Sequence, residues 1–117
     1  DIPMCKVKLL DLVNVHDAGT LINPALAEAQ AHGGMSMGIG FGLSENLLFD
    51  PKTGRALNDN LLDYKLSTFM DHPRLRAYFV ENAEPTSAFG TKSLGEPPTC
   101  SIAPAIRNAV IRQQVSM

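Results

Sequence analysis

The 117-residue sequence predicts an α+β fold, a small mixed sheet packed with a long glycine-rich helix and a C-terminal helix. Three observations carry that reading. Residues 4–15 and 75–80 have the length and β-branched or aromatic content of strands. Residues 25–47 form a proline-free stretch rich in Ala, Met and Leu, and residues 99–114 have a second helical composition. No repeat, linker or low-complexity tract interrupts these segments, so residues 1–117 are read as a single domain.

The first strand is placed at Met4 to Val15. Cys5, Val7 and Leu9 alternate there with Lys6 and Lys8, and both faces turn apolar between Leu9 and Val13. His16-Asp17-Ala18-Gly19-Thr20 reads as a turn, with Gly19 free to take positive φ. Asn23-Pro24 starts a helix, because asparagine accepts from an early helical N–H and proline at the first position forfeits no bond. The helix is expected over Ala25–Leu47, despite five glycines that each cost about 1 kcal/mol against alanine. Gly34, Gly38 and Gly42 lie four apart on one face, a smooth stripe for close backbone packing or for a flat ligand. Close helix–sheet packing is the commoner use of such a stripe. Leu47-Leu48-Phe49 and Asp50–Gly54 read as a strand and turn, and residues 55–65 as polar loop. His72-Pro73 stops any preceding helix, Leu75–Val80 is a strand, and residues 83–98 form an ordered irregular loop. The closing helix runs Thr99–Gln114, with Pro104 restarting or kinking it.

Composition excludes several classes of function. Apolar residues make up 44% and charged residues 19%, a globular profile. Ten basic against twelve acidic side chains leave a charge of −2, which provides no footprint for nucleic acid or an anionic membrane. Two cysteines, Cys5 and Cys100, make no disulfide framework, so a reducing, cytoplasmic setting is expected. Asp1, Lys6 and Lys8 interrupt any early apolar run, so no signal peptide is expected.

Four patterns invite a chemical reading. Gly34-Met35-Ser36-Met37-Gly38 matches the G-x-S-x-G elbow of serine hydrolases, with Asp59, Asp63, Asp71 and His72 downstream. That chemistry needs a strand-to-helix turn, whereas Ser36 sits inside a helical pattern. Gly38-Ile39-Gly40-Phe41-Gly42 lacks the spacing and the preceding strand of a dinucleotide loop. His16, His32, His72, Cys5 and Cys100 show none of the close pairings of zinc sites, and no metal ligand is assigned. The fourth is Gly90-Thr91-Lys92-Ser93-Leu94-Gly95-Glu96-Pro97-Pro98. Pre-proline sterics are expected to extend Glu96, and Pro97 and Pro98 to open a helix behind it. Glu96 then stands at a helix N-terminus with Gly95 leaving room beside it. Two roles fit that position: a rigidly presented general base, or an N-cap, which is the commoner.

The run Val15-His16-Asp17-Ala18-Gly19-Thr20-Leu21-Ile22-Asn23-Pro24, with Glu28-Ala29-Gln30 and Gly33-Gly34, resembles the molybdenum-binding subunit of the xanthine dehydrogenase family. Lys92–Pro98 and the following Ser101-Ile102-Ala103-Pro104-Ala105-Ile106 resemble it too, so the likeness extends from about Val7 to Ile111. It implies the C-terminal part of a molybdopterin-binding domain. The implied reaction hydroxylates a carbon of a purine or related nitrogen heterocycle with oxygen from water. Glu96 would be the general base that takes a proton from the attacking hydroxyl. Gln30 would hydrogen-bond the pterin, and Gly34 and Gly95 would border the cofactor. The resemblance further implies a molybdenum–molybdopterin cofactor in its cytosine dinucleotide form. Its implied partners are the remainder of the molybdenum-binding subunit and FAD-binding and 2Fe-2S subunits that pass electrons to NAD.

Ala29 replaces a common family glycine, His32 a common glutamate and Ser67 a common proline, while residues 112–117 leave the family pattern. The upstream glycine-rich cofactor loops and the substrate-gripping residues have no counterpart here. The isolated chain is therefore expected to bind no cofactor and to be inactive. A different expectation is a non-catalytic free-standing domain whose uncovered apolar surface drives homodimerisation.

Overall fold

Alternation of Leu12, Asn14 and His16 with Val13, Val15 and Asp17 builds β1, Asp11–Asp17, whose two faces bear different side chains. The computed structural model describes residues 3, 4 and 6–115, so Cys5 of the expected first strand lies outside the described residues. The strand starts later than the pattern predicts and continues through His16 and Asp17, which the sequence reading assigned to a turn. Its limits follow its partner. β1 pairs in parallel with β2, Arg74–Val80, in the register Asp11↔Arg74 to Asp17↔Val80, and the ladder does not extend to residues 6–10. Parallel pairing requires a long crossover, here residues 18–73.

That crossover contains α1, Pro24–Leu43. Asn23 caps it as expected, its Oδ1 accepting from the Leu26 N–H at 3.1 Å, with Pro24 at the first position. Replacing Asn23 by alanine is expected to cost about 1 kcal/mol, read as a lowered urea midpoint at unchanged slope. The helix stops at Leu43, four residues before the predicted end, where the Ser44 and Glu45 N–H groups both return to the Gly40 carbonyl. Residues 44–73 are mostly irregular. The expected strand at residues 47–49 is reduced to an isolated bridge, Phe49↔Ala56, around the Asp50–Gly54 turn.

After β2, the chain crosses residues 81–96 without regular structure apart from one short turn at Ala88–Gly90. The predicted C-terminal helix is split into α2, Pro97–Cys100, and α3, Ile102–Val115. The break falls at Ser101, so that Pro104 occupies the first turn of α3, where its missing N–H costs nothing.

Met35 and Ile39 of α1 meet Ile102 and Ile106 of α3 in the buried core, with Leu9, Leu12 and Leu75 packed around them. The glycine stripe makes this approach possible. A Cβ on Gly34 would meet Pro98 and Thr99, one on Gly38 would meet Ile102, and one on Gly42 would meet Ile106 and Ala103. Close backbone packing is the use the stripe is put to, and its partners are α2 and α3, where a sheet was expected. Leu12, Asn14 and His16 face this helical layer. The opposite sheet face leaves Val15 65% and Tyr78 53% exposed.

Candidate functional site

The two segments singled out in the sequence, residues 15–30 and 90–98, lie against each other. Gly19 takes φ +65° and bridges Thr91, while the Thr20 and Lys92 N–H groups donate to the carbonyls of Gly90 and Ala18, each at 2.9 Å. Lys92 Nζ donates to Asp17 Oδ2 at 2.7 Å, and Asp17 Oδ1 accepts from the Gly19 N–H at 3.0 Å. The Lys92 hydrogen bond, followed by the Gly19 amide, holds the Asp17 carboxyl below the usual aspartate range.

Glu96 is the N-cap residue of α2, but its side chain makes no capping bond. Among the described residues its carboxylate has neither hydrogen bond nor ion pair, and the residue is exposed. The commoner of its two readings, a structural cap, is thereby set aside. Its backbone also departs from the expected extended form, at φ −94° and ψ −32°. The α region is disfavoured before proline. A turn closed by the Thr99 N–H on the Glu96 carbonyl at 2.9 Å compensates for it here.

Gln30, one residue type that sequence likeness placed at the site, is brought to it directly: its Nε2 donates to the Gly95 carbonyl at 2.9 Å. Gly95 is exposed, and a Cβ there would meet nothing within 4 Å. Gly34 has the opposite surroundings, being buried beneath Pro98 and Thr99, so the stripe through Gly34 and Gly38 that offered room for a flat ligand is filled by α2 and α3. Gly34 thus seats the short helix that follows the acid. Two residues not singled out for the site also hold this segment. Asn14 Nδ2 donates to the Pro98 carbonyl at 3.4 Å, and His16 Nε2 lies 3.0 Å from the Ser93 carbonyl. Their signal in the sequence was only that a polar side chain stood on the apolar-facing side of a strand.

The G-x-S-x-G serine also has a partner, since Ser36 Oγ lies 3.1 Å from His72 Nε2. Ser67 Oγ reaches the same nitrogen at 3.3 Å and donates to the Ser36 carbonyl at 3.2 Å, a bond that proline at position 67 would forgo. No carboxylate among the described residues hydrogen-bonds His72: Asp71 is turned to Thr68, and Asp63 to Asn60. Ser36 sits mid-helix, where backbone N–H groups are committed to the helix and cannot form an oxyanion hole. A fluorophosphonate probe is therefore expected to leave Ser36 unlabelled, as read by peptide mass spectrometry. No group of three His, Cys, Asp or Glu among the described residues is arranged to hold a metal ion. No described helix is long and apolar enough to cross a membrane.

Residues 1–73 match the family described as the molybdopterin cofactor-binding domain. The xanthine dehydrogenase molybdenum-binding subunit of Escherichia coli O157:H7 is 56% identical over 110 residues, covering 94% of this chain and 15% of that protein. The nicotine 6-hydroxylase large subunit of Paenarthrobacter nicotinovorans is 36% identical over 104 residues, 89% of this chain and 13% of its own length. Quinoline 2-oxidoreductase from Pseudomonas putida 86 superimposes with a TM-score of 0.77 at 33% identity, covering 85% of this chain and 12% of the other. Aldehyde oxidoreductase from Desulfovibrio gigas gives 0.80 at 27% identity, over 94% of this chain and 12% of that one. The chain thus spans about 15% of the length of its curated xanthine dehydrogenase relatives.

Proposed function

Because this chain belongs to the molybdopterin cofactor-binding domain family, we propose that it supplies the general base and a pterin contact to a molybdenum hydroxylase of xanthine dehydrogenase type. The observation that carries the reading is Glu96: an exposed carboxylate with no partner among the described residues, beside a glycine with open space and an amide tied to that glycine. A structural acid in this position would cap α2 or pair with a cation. This one does neither.

The residues present fit such a cofactor on one side. Gln30 commits its NH₂ to Gly95 and keeps its carbonyl oxygen as an acceptor for a pterin N–H. Gly95 leaves the space beside the acid open. When bound, the molybdenum–pterin group would supply the oxidising centre and activate water-derived oxygen. This chain's part is to hold a proton acceptor at a fixed place. Glu96 would take the proton from the attacking hydroxyl, strengthening the nucleophile as the new carbon–oxygen bond forms. Its substrate would be a purine or related nitrogen heterocycle, a reading supported by relatives named for xanthine, nicotine and quinoline. Electrons would leave through 2Fe-2S and FAD partners to NAD, and the cofactor would be the cytosine dinucleotide form, in a cytoplasmic enzyme.

Much apolar surface supports completion by further polypeptide. Leu61 is 81% and Phe69 82% exposed, and parallel sheets are ordinarily covered on both faces. The same surface favours a second reading, a free-standing chain that covers it with another copy of itself. Size-exclusion chromatography of the protein that carries this sequence, with molybdenum and pterin analysis, separates the two, since cofactor co-eluting with the protein supports the first and a cofactor-free oligomer of this chain alone the second. Gly95→Ala is a sharper probe. With no described residue of this chain near the new methyl, the unfolding free energy from urea titration is expected to stay within about 0.5 kcal/mol of the parent value. Bound molybdenum is expected to fall, as measured by metal analysis.

A further inference from the structure

Glu96 is flanked on both sides by main-chain carbonyls that side chains from elsewhere in the fold seize. His16 and Asn14, two residues apart on β1 and so on the same face, reach Ser93 and Pro98. Gln30, from α1, reaches Gly95. We propose that these three side chains form a clamp on the main chain around Glu96, with His16 and Gln30 as positioning residues for its carboxylate. The proposal rests on the reading of Glu96 as the base.

The need for such a clamp follows from local structure. Residues 91–96 are irregular, and α2 is a single turn, too short to satisfy its own carbonyls or to fix a direction by itself. Glu96 further adopts the α region before a proline, which the backbone disfavours. Anchors outside the segment must therefore select this conformation. Donor chemistry is consistent at all three points. Carbonyls only accept, so His16 presents Nε2–H to Ser93, which either the neutral Nε2–H tautomer or the imidazolium provides, and its ring is steadied edge-on by Phe79 at 6.5 Å. Asn14 is 6% exposed and turns its amide nitrogen to Pro98 although this leaves Oδ1 buried with no partner among the described residues. That orientation carries a desolvation cost, which the bond to the α2 carbonyl helps to offset.

The test uses the protein that carries this sequence, with His16→Leu, Gln30→Leu and the donor-retaining His16→Gln. Amide exchange over residues 94–101, read by mass spectrometry, is expected to quicken about tenfold in both leucine variants, as loss of one anchoring bond from a local opening unit allows. For His16→Leu, kcat is expected to fall about 10- to 100-fold at little-changed KM, because misplacement of a base by a fraction of an ångström affects chemistry more than binding. His16→Gln, which can still offer an N–H, should restore both measurements to within about threefold of the parent. Unchanged exchange in the leucine variants overturns the clamp. So does a His16→Gln protein as impaired as His16→Leu, which would make ring packing on Phe79 the only role of His16. Quickened exchange in His16→Leu alongside full turnover in Glu96→Gln supports the clamp and removes the base assignment, so the two ideas fail separately.

Discussion

Turnover of the assembled enzyme that contains this sequence is expected to fall about 10²- to 10⁴-fold in Glu96→Gln while molybdenum and pterin content hold steady, the range for loss of a positioned general base. The amide is nearly isosteric with the acid, so packing around α2 is undisturbed. Two other acids among the described residues are engaged elsewhere. Asp17 is occupied by Lys92 and Gly19, and Glu84 by Thr86. Parallel metal analysis and steady-state kinetics check the expectation. Near-parental kcat at full molybdenum loading would remove Glu96 from the chemistry, whereas a matching loss of molybdenum would make it a binding residue.

The largest effect on stability is expected at Gly19→Ala. Two costs coincide there. The backbone has φ +65°, where a side chain costs about 1–2 kcal/mol, and the added methyl would overlap the Gly90 carbonyl oxygen. Backbone is what it strikes, so no rotamer change relieves the clash. Destabilisation of about 2–4 kcal/mol follows, well beyond the cap loss expected at Asn23. Gly54→Ala supplies the control. Gly54 has φ +69°, but a Cβ there meets nothing within 4 Å, so only the backbone cost remains, about 1 kcal/mol. Urea titrations of the pair measure the difference. Equal midpoints would show that the Gly19–Thr91 junction does not lock residues 90–96 to β1.

Helix α1 was legible because its start signals are local: Asn23 and Pro24 act on groups a few residues away. Gly19 was legible for the same reason. The limits of β1 were not, because they depend on which residues find β2 about sixty positions later, and alternation alone does not say which residues pair. The glycine stripe announced a close approach without naming what approaches. Only the folded chain puts α2 and α3, and no open track, against Gly34, Gly38 and Gly42. For the site, Glu96 and Gly95 were marked by the neighbouring prolines, and Gln30 by likeness to a family rather than by any local rule. Pre-proline sterics pointed the wrong way at Glu96, since a turn bond and three side-chain anchors outweigh a modest local preference. His16 looked like a turn residue and Asn14 drew no attention, because a donor aimed at a distant carbonyl leaves no periodic trace in the sequence.

A crystal structure of the cofactor-loaded protein addresses the account most directly. The expected result has the Glu96 carboxylate and the Gln30 carbonyl oxygen facing the bound group from one side, the Gln30–Gly95 bond intact and Gly95 in contact with the cofactor. A Glu96 side chain folded back onto α2 or onto a cation of this chain, with the cofactor lying elsewhere, would contradict it.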